Sequence, residues 1–273
     1  MSHLFLTLFE RRPHRLSGRK RAAEKIGVHF TAMALSILAF TASASVDKAE
    51  TQRLLEVYRG NDKLAQKKDA ERLTYWAVEE QEIYARINTL LLEQYTLDTK
   101  GREHVDYLAW LAKGLAASGD EQYRGTLQEV ASGAKQGKLR KYASIAVESL
   151  DTHKRWNALI NKPIPPGLDL PGFQQRNYYN MLIAPDMELV RIGAKRISFE
   201  AISSPVLAAT LSDRILALHE SADDPLDVDT LAWLLKALAT CGGAEYRDTF
   251  TAVADGSGKG KIRKYAKKYA ANL

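Results

Sequence analysis

Residues 105–119 read VDYLAWLAKGLAASG, and residues 228–242 read VDTLAWLLKALATCG. The match continues without a gap, because YRGTLQEVASGAKQGKLRKYA at 123–143 returns as YRDTFTAVADGSGKGKIRKYA at 246–266. His104 to Leu150 thus align with Asp227 to Leu273 at a constant offset of 123 residues. Roughly half of the paired positions are identical, which chance does not sustain over such a length, so the chain reads as internally duplicated. Each copy carries apolar residues at i, i+3, i+4 and i+7: Leu108, Leu111, Ala112 and Leu115, then Leu231, Leu234, Leu235 and Leu238. That spacing is one face of an α-helix. Second and third stripes follow at Tyr123, Leu127, Val130 and Ala131 and at Leu139, Tyr142, Ala143 and Ala146, each with its counterpart in the second copy.

Short breakers separate these stripes: Gly119, Gly133 and Gly137, matched by Gly242, Gly256 and Gly260. Glycine at such points suits left-handed helix ends. Upstream the match is looser, with about one residue inserted, and two further helical segments precede it at 49–80 and 174–202. The count is three helix pairs per half, and no run reads as a strand. Between the halves, NKPIPPGLDLPGF at 161–173 places four prolines in 13 residues. Such a stretch cannot continue a helix and reads as a linker, either a hinge between two lobes or a strut along one stack. The expected organisation is a leader over 1–44, a first helical half over 45–160, the linker over 161–173 and a second half over 174–273.

Three segments share an apolar-Arg-x-x-Ala pattern: Leu139-Arg140 with Ala143, Val190-Arg191 with Ala194, and Ile262-Arg263 with Ala266. The middle one, PDMELVRIGAKRI, resembles the second helix of a HEAT-type repeat. The resemblance is specific only at these three places, and residues 71–78, 105–117 and 228–240 depart from it. It implies an all-α solenoid of stacked antiparallel helix pairs used for binding. It implies no reaction, because HEAT-like repeats carry many unrelated functions.

The formal charge of +6 is unevenly spread. Residues 1–44 hold seven basic and two acidic side chains, five of the six net charges, so the body is close to neutral and gives little support to a nucleic-acid partner. The same segment runs from a basic stretch into an apolar run over 28–40 and then Ala42-Ser43-Ala44, the order of a secretory signal. It predicts an exported, periplasmic protein. An uncleaved anchor formed by residues 28–44 and a cytoplasmic protein with an apolar first helix are the alternatives. The single Cys241 allows no intrachain disulfide.

The remaining motifs point away from catalysis. DGSGKGK at 255–261 lacks the first glycine and the final hydroxyl of a phosphate loop and follows no strand, so it reads as an inter-helix turn. His104, His153 and His219 are scattered, without neighbours at metal-ligand spacing. Trp110 and Trp233 neighbour the leucine stripe and read as core, with a ligand-facing aromatic as the alternative. Asp106 and Asp229 are expected in a first helical turn, where an acid favours the helix dipole. The most function-like feature is a recurring basic cluster, Lys138, Arg140 and Lys141 matched by Lys261, Arg263 and Lys264. Arg140 and Arg263 are expected to pair with acids of a neighbouring repeat, and the lysines to face solvent or a partner. The sequence therefore predicts a non-enzymatic scaffold binding a protein partner, with no metal or cofactor. An anionic surface or polymer bound by the clusters, or a role as a subunit of an enzyme complex, is the alternative.

Overall fold

A computed structural model describes residues 46–97, 101–256 and 258–273, which fall within one compact unit, Ala39–Leu273. The expected leader lies outside the described residues. The fold is all-α, with twelve α-helices and no strand among the described residues. They are α1 (Lys48–Arg59), α2 (Lys63–Trp76), α3 (Gln81–Gln94), α4 (Arg102–Ala116), α5 (Arg124–Gly133) and α6 (Gly137–Ile160). Then come α7 (Phe173–Leu182), α8 (Met187–Glu200), α9 (Pro205–Leu218), α10 (Pro225–Cys241), α11 (Arg247–Asp255) and α12 (Gly260–Ala270).

Local chemistry starts these helices where they start. Asp62 accepts from the amides of Leu64 and Ala65, and Asp186 from that of Leu189, at 3.0–3.1 Å. Ser204 and Asp224 cap helices whose first residue is Pro205 or Pro225, where a missing amide costs nothing. Each cap is worth about 1 kcal/mol. The helices α2 and α8 share more than a cap. Each is 14 residues long, each follows an Asp, and each ends on a left-handed alanine, Ala77 (φ 49°) or Ala201 (φ 50°). Those matches fall at an offset of 124 residues, one more than downstream.

The even-numbered helices pack side by side. In the first six, α4 lies against α2 and α6; in the last six, α10 lies against α8 and α12. Odd-numbered helices pack behind them, α3 against α1 and α4, α9 against α7 and α10. The predicted stripes are what they bury: Leu108, Leu111, Ala112 and Leu115 are at most 1% exposed, and Leu231, Leu234, Leu235 and Leu238 are fully buried.

Two expectations are corrected. Among the six breaker glycines, Gly119 has positive φ (64°), and after α10 the left-handed glycine is Gly243 (φ 61°) instead of Gly242. A Cβ at Gly119 would also meet the backbone nitrogen of Lys154 at 2.5 Å, so close packing of α6 fixes that glycine as firmly as its φ does. Gly133 and Gly137 are helical end residues of α5 and α6. Second, α4 and α10 begin three residues before Val105 and Val228, which moves Asp106 and Asp229 out of the first turn. Their acids serve ion pairs between helices.

The proline-rich segment packs against the helices. Ile164 and Leu170 are buried within it, and Phe173 sets its ring edge on Trp76 at 5.2 Å. Side-chain amides fasten both ends to backbone carbonyls. Asn161 donates to Ala77 (2.9 Å), Asn177 to Trp76 (2.9 Å), and Asn180 to Ile160 and Lys162 (2.8 and 2.7 Å). These bonds satisfy carbonyls that the ends of α2 and α6 leave without helical partners.

Candidate binding surface

The three apolar-Arg-x-x-Ala motifs bury their apolar members completely: Leu139 and Ala143, Val190 and Ala194, Ile262 and Ala266. Their arginines diverge. Arg140 folds back and donates from Nη1 to the carbonyls of Ala134 (2.7 Å) and Lys135 (2.8 Å), clamping the turn between α5 and α6. Arg176, also the fourth residue of its helix, does the same to Leu170 and Pro171. The pairing with an acid of a neighbouring helix expected of Arg140 and Arg263 occurs instead at Arg191, which holds Asp229 of α10 (3.1 Å) and Glu188 of its own helix (2.5 Å).

The two basic clusters sit on α6 and α12, the last even helix of each set, and are used differently. Lys138 pairs with Asp106 of α4, and this hydrogen bond holds the Asp106 carboxyl below the usual range. Lys261 has the same sequence position, but Asp229, the matching acid, is engaged by Arg191. Lys141 is exposed, as are Lys261, Arg263 and Lys264, joined by Lys267 and Lys268. None of these six has an ion pair with a described residue, and residues 258–273 contain no acidic side chain. The structure therefore leaves one dense cationic helix, α12, and one cluster partly consumed by the fold.

The even helices also carry cations laid over aromatic rings. Lys113 Nζ lies 4.3 Å from the Trp110 ring centroid and 4.4 Å from that of Tyr142. Lys236 lies 4.7 Å from Trp233 and 5.3 Å from Phe199, and Lys195 lies 5.1 Å from Trp233. Trp110 and Trp233 are half-buried, so each lines a surface as well as packing on the core. The repeated Trp-x-x-Lys spacing, one helical turn, was the sequence signal for this arrangement, and Phe199 four residues after Lys195 extended it.

A pocket of ≈ 560 Å³ opens between the first turns of α2 and α4, lined by Lys63, Leu64, Lys67, Glu103, His104 and Tyr107. Lys63 lies 5.4 Å from the Tyr107 ring and donates to Gln94 (3.0 Å). Burial, with the Lys63 charge second, lowers the His104 pKa, and burial pushes the Tyr107 phenol up to about 12. The other two histidines among the described residues are interior: His153 and His219 are 9% and 8% exposed. Among the described residues no cluster of three metal-ligating side chains forms, and no helix is long and apolar enough to cross a membrane.

No family model matches the chain, and neither a curated protein nor a solved structure matches it.

Proposed function

We propose that this chain is an internally duplicated, HEAT-like α-solenoid that acts as a non-enzymatic scaffold for an acidic protein partner. The observation that carries this reading is the cationic surface of α12: Lys261, Arg263, Lys264, Lys267 and Lys268 are exposed together with no acid in the last 16 residues. Unpaired like charges on one helix repel one another, so they favour an oppositely charged neighbour. The side-by-side even helices, the paired caps and the offset repeat support stacked repeats, whose exposed helix rows are binding surfaces in general. The leader sequence supports export to the periplasm, which a mature amino terminus near Ser45 would establish.

Crosslinked affinity capture from native cells tests the reading, with the full chain compared with a Lys261→Glu, Lys264→Glu variant of equal helicity. A specific protein enriched by the first and lost by the second is the expected result. Binding to duplex DNA or heparin with a steep, multi-ion salt dependence, and no protein enriched, would replace it with an anionic-polymer reading.

A further inference from the structure

The ring at one position of the even helices has two environments. In α2 it is Tyr75, 4% exposed, and in α8, 124 residues on, it is Phe199, 61% exposed. Tyr75 is covered by the molecule itself. Arg196 lies 4.2 Å from its ring centroid and pairs with Glu71, one helical turn before Tyr75, at 3.3 Å. At the matching place beside Phe199 stands Lys195, so the charge at the edge of the ring is reversed. Lys236 from α10 lies 5.3 Å from the Phe199 ring, and Lys195 lies 5.1 Å from the adjoining Trp233 ring. Neither lysine's ammonium group has an ion pair or hydrogen bond with a described residue.

We propose that Phe199, Trp233, Lys195 and Lys236 form an anchor for an acidic segment of a partner protein, a carboxylate on the lysines and an adjacent apolar side chain on Phe199. The inference rests on the scaffold reading and names where and how that scaffold binds. The charge argument fixes the sign of the occupant. Where the edge residue is Glu71, the covering group is a cation; where it is Lys195, the complementary covering group is an anion. The geometry also separates a peptide from a nucleobase. Two ammonium groups lie over the Trp233 ring, and Phe199 meets that ring edgewise at 5.3 Å and 66°. Base stacking needs an open ring face, whereas a carboxylate needs the ammonium groups themselves. The anchor is rigid, because α8 and α10 pack along their length. A buried apolar contact ringed by charge is the usual form of an interface hot spot.

Fluorescence anisotropy of the full chain with a labelled peptide of Glu and Asp flanking one Phe tests this directly. The expected result is saturable binding that weakens about tenfold or more in Lys195→Gln, Lys236→Gln and in Phe199→Ser. Lys113→Gln, the matching change in the first six helices, should leave it unchanged. Equal binding by all variants overturns the anchor. Tighter, Phe199-dependent binding of a labelled oligothymidylate than of the peptide overturns it in favour of single-stranded nucleic acid. Self-association of the wild-type chain by sedimentation, lost in Phe199→Ser, overturns it in favour of a second copy. Affinity capture with the Lys195→Gln, Lys236→Gln variant separates the two levels: a partner still captured discards the anchor and keeps the scaffold, while no partner for any form discards the scaffold.

Discussion

The first six helices and the last six share one order of contacts among their even helices, α2–α4–α6 and α8–α10–α12, and differ in what fills the space at matching sequence positions. In α1–α6 the interior is wired with polar groups. Arg53 grips the buried Asp69 with two bonds of 2.8 and 2.9 Å, and Arg72 adds a third. Gln66, 1% exposed, accepts from Tyr107 (2.6 Å) and donates to the carbonyls of Val57 and Gly60, while Tyr58 donates to its backbone. The matching positions in α7–α12 are Asn177 and Gly193 for the ion pair, and Leu182, Val190 and Thr230 for the network. There the backbone closes in until a Cβ on Gly193 would lie 2.9 Å from the Cβ of Met181. At these positions the first six helices thus use a paired polar cluster and the last six close backbone packing, while α7–α12 bury polar groups elsewhere, among them Ser212 and Thr249 at 2.7 Å. A polar interior holds only while every member is paired.

Removing one member is accordingly the harshest test of that contrast. Asp69→Ala removes the buried carboxylate from Arg72 and Arg53, which are each about a third exposed and of which Arg53 keeps Glu50, and should cost about 3 kcal/mol in urea unfolding. Gly193→Ala, at the matching place, should cost about 1–3 kcal/mol through overpacking alone. Equal costs would mean that the Asp69 cluster adds nothing beyond its volume.

A second test uses His153, which lies in the later turns of α6 and is 9% exposed. Burial lowers its pKa to about 4. The unfolded chain therefore takes up the proton first as pH falls, near the ordinary value of 6.5. Stability is fully present above about pH 6.5 and falls by up to about 3 kcal/mol as pH approaches 4. Urea midpoints at neutral and acidic pH should show this slope in the wild type and lose it in His153→Gln. The same slope in both would assign the acid sensitivity elsewhere.

The smallest expected effect compares the two left-handed alanines. An L-residue there costs about 1–2 kcal/mol, part of which glycine returns as unfolded-state entropy. Ala201 is exposed, so Ala201→Gly should raise stability by about 0.5–1 kcal/mol. Ala77 is 1% exposed, and Ala77→Gly should gain less because its packed methyl is lost. Thermal melts of the two variants measure the difference.

Much of this was legible in the residues. The stripes of α4 and α10 are buried as their spacing requires, those of α5, α6, α11 and α12 are buried except at half-buried Ala131, Tyr142, Tyr246, Tyr265 and Tyr269, and the proline-rich segment does interrupt the helices. Positions of caps and stripes depend on neighbours three or four residues apart, and the chain carries that information locally. The upstream match was harder to see, because polar Gln66 and Asp69 stand against Val190 and Gly193. The candidate surface was legible only in part. Lys138 and Lys261 occupy one sequence position, as do Arg140 and Arg263, and nothing local distinguishes them.

What the sequence alone determined is an all-helical chain with a repeated segment and a cation-rich end. Helical periodicity and composition are properties of short windows. Tertiary structure decided which cations are engaged within the fold. Asp106 goes to Lys138 of α6, whereas Asp229 goes to Arg191 of α8, so Lys261 has no ion pair among the described residues. It also decided that Tyr75 is covered and Phe199 is not. Those outcomes depend on long side chains reaching between helices far apart in sequence, where a shift of one helical turn changes the partner.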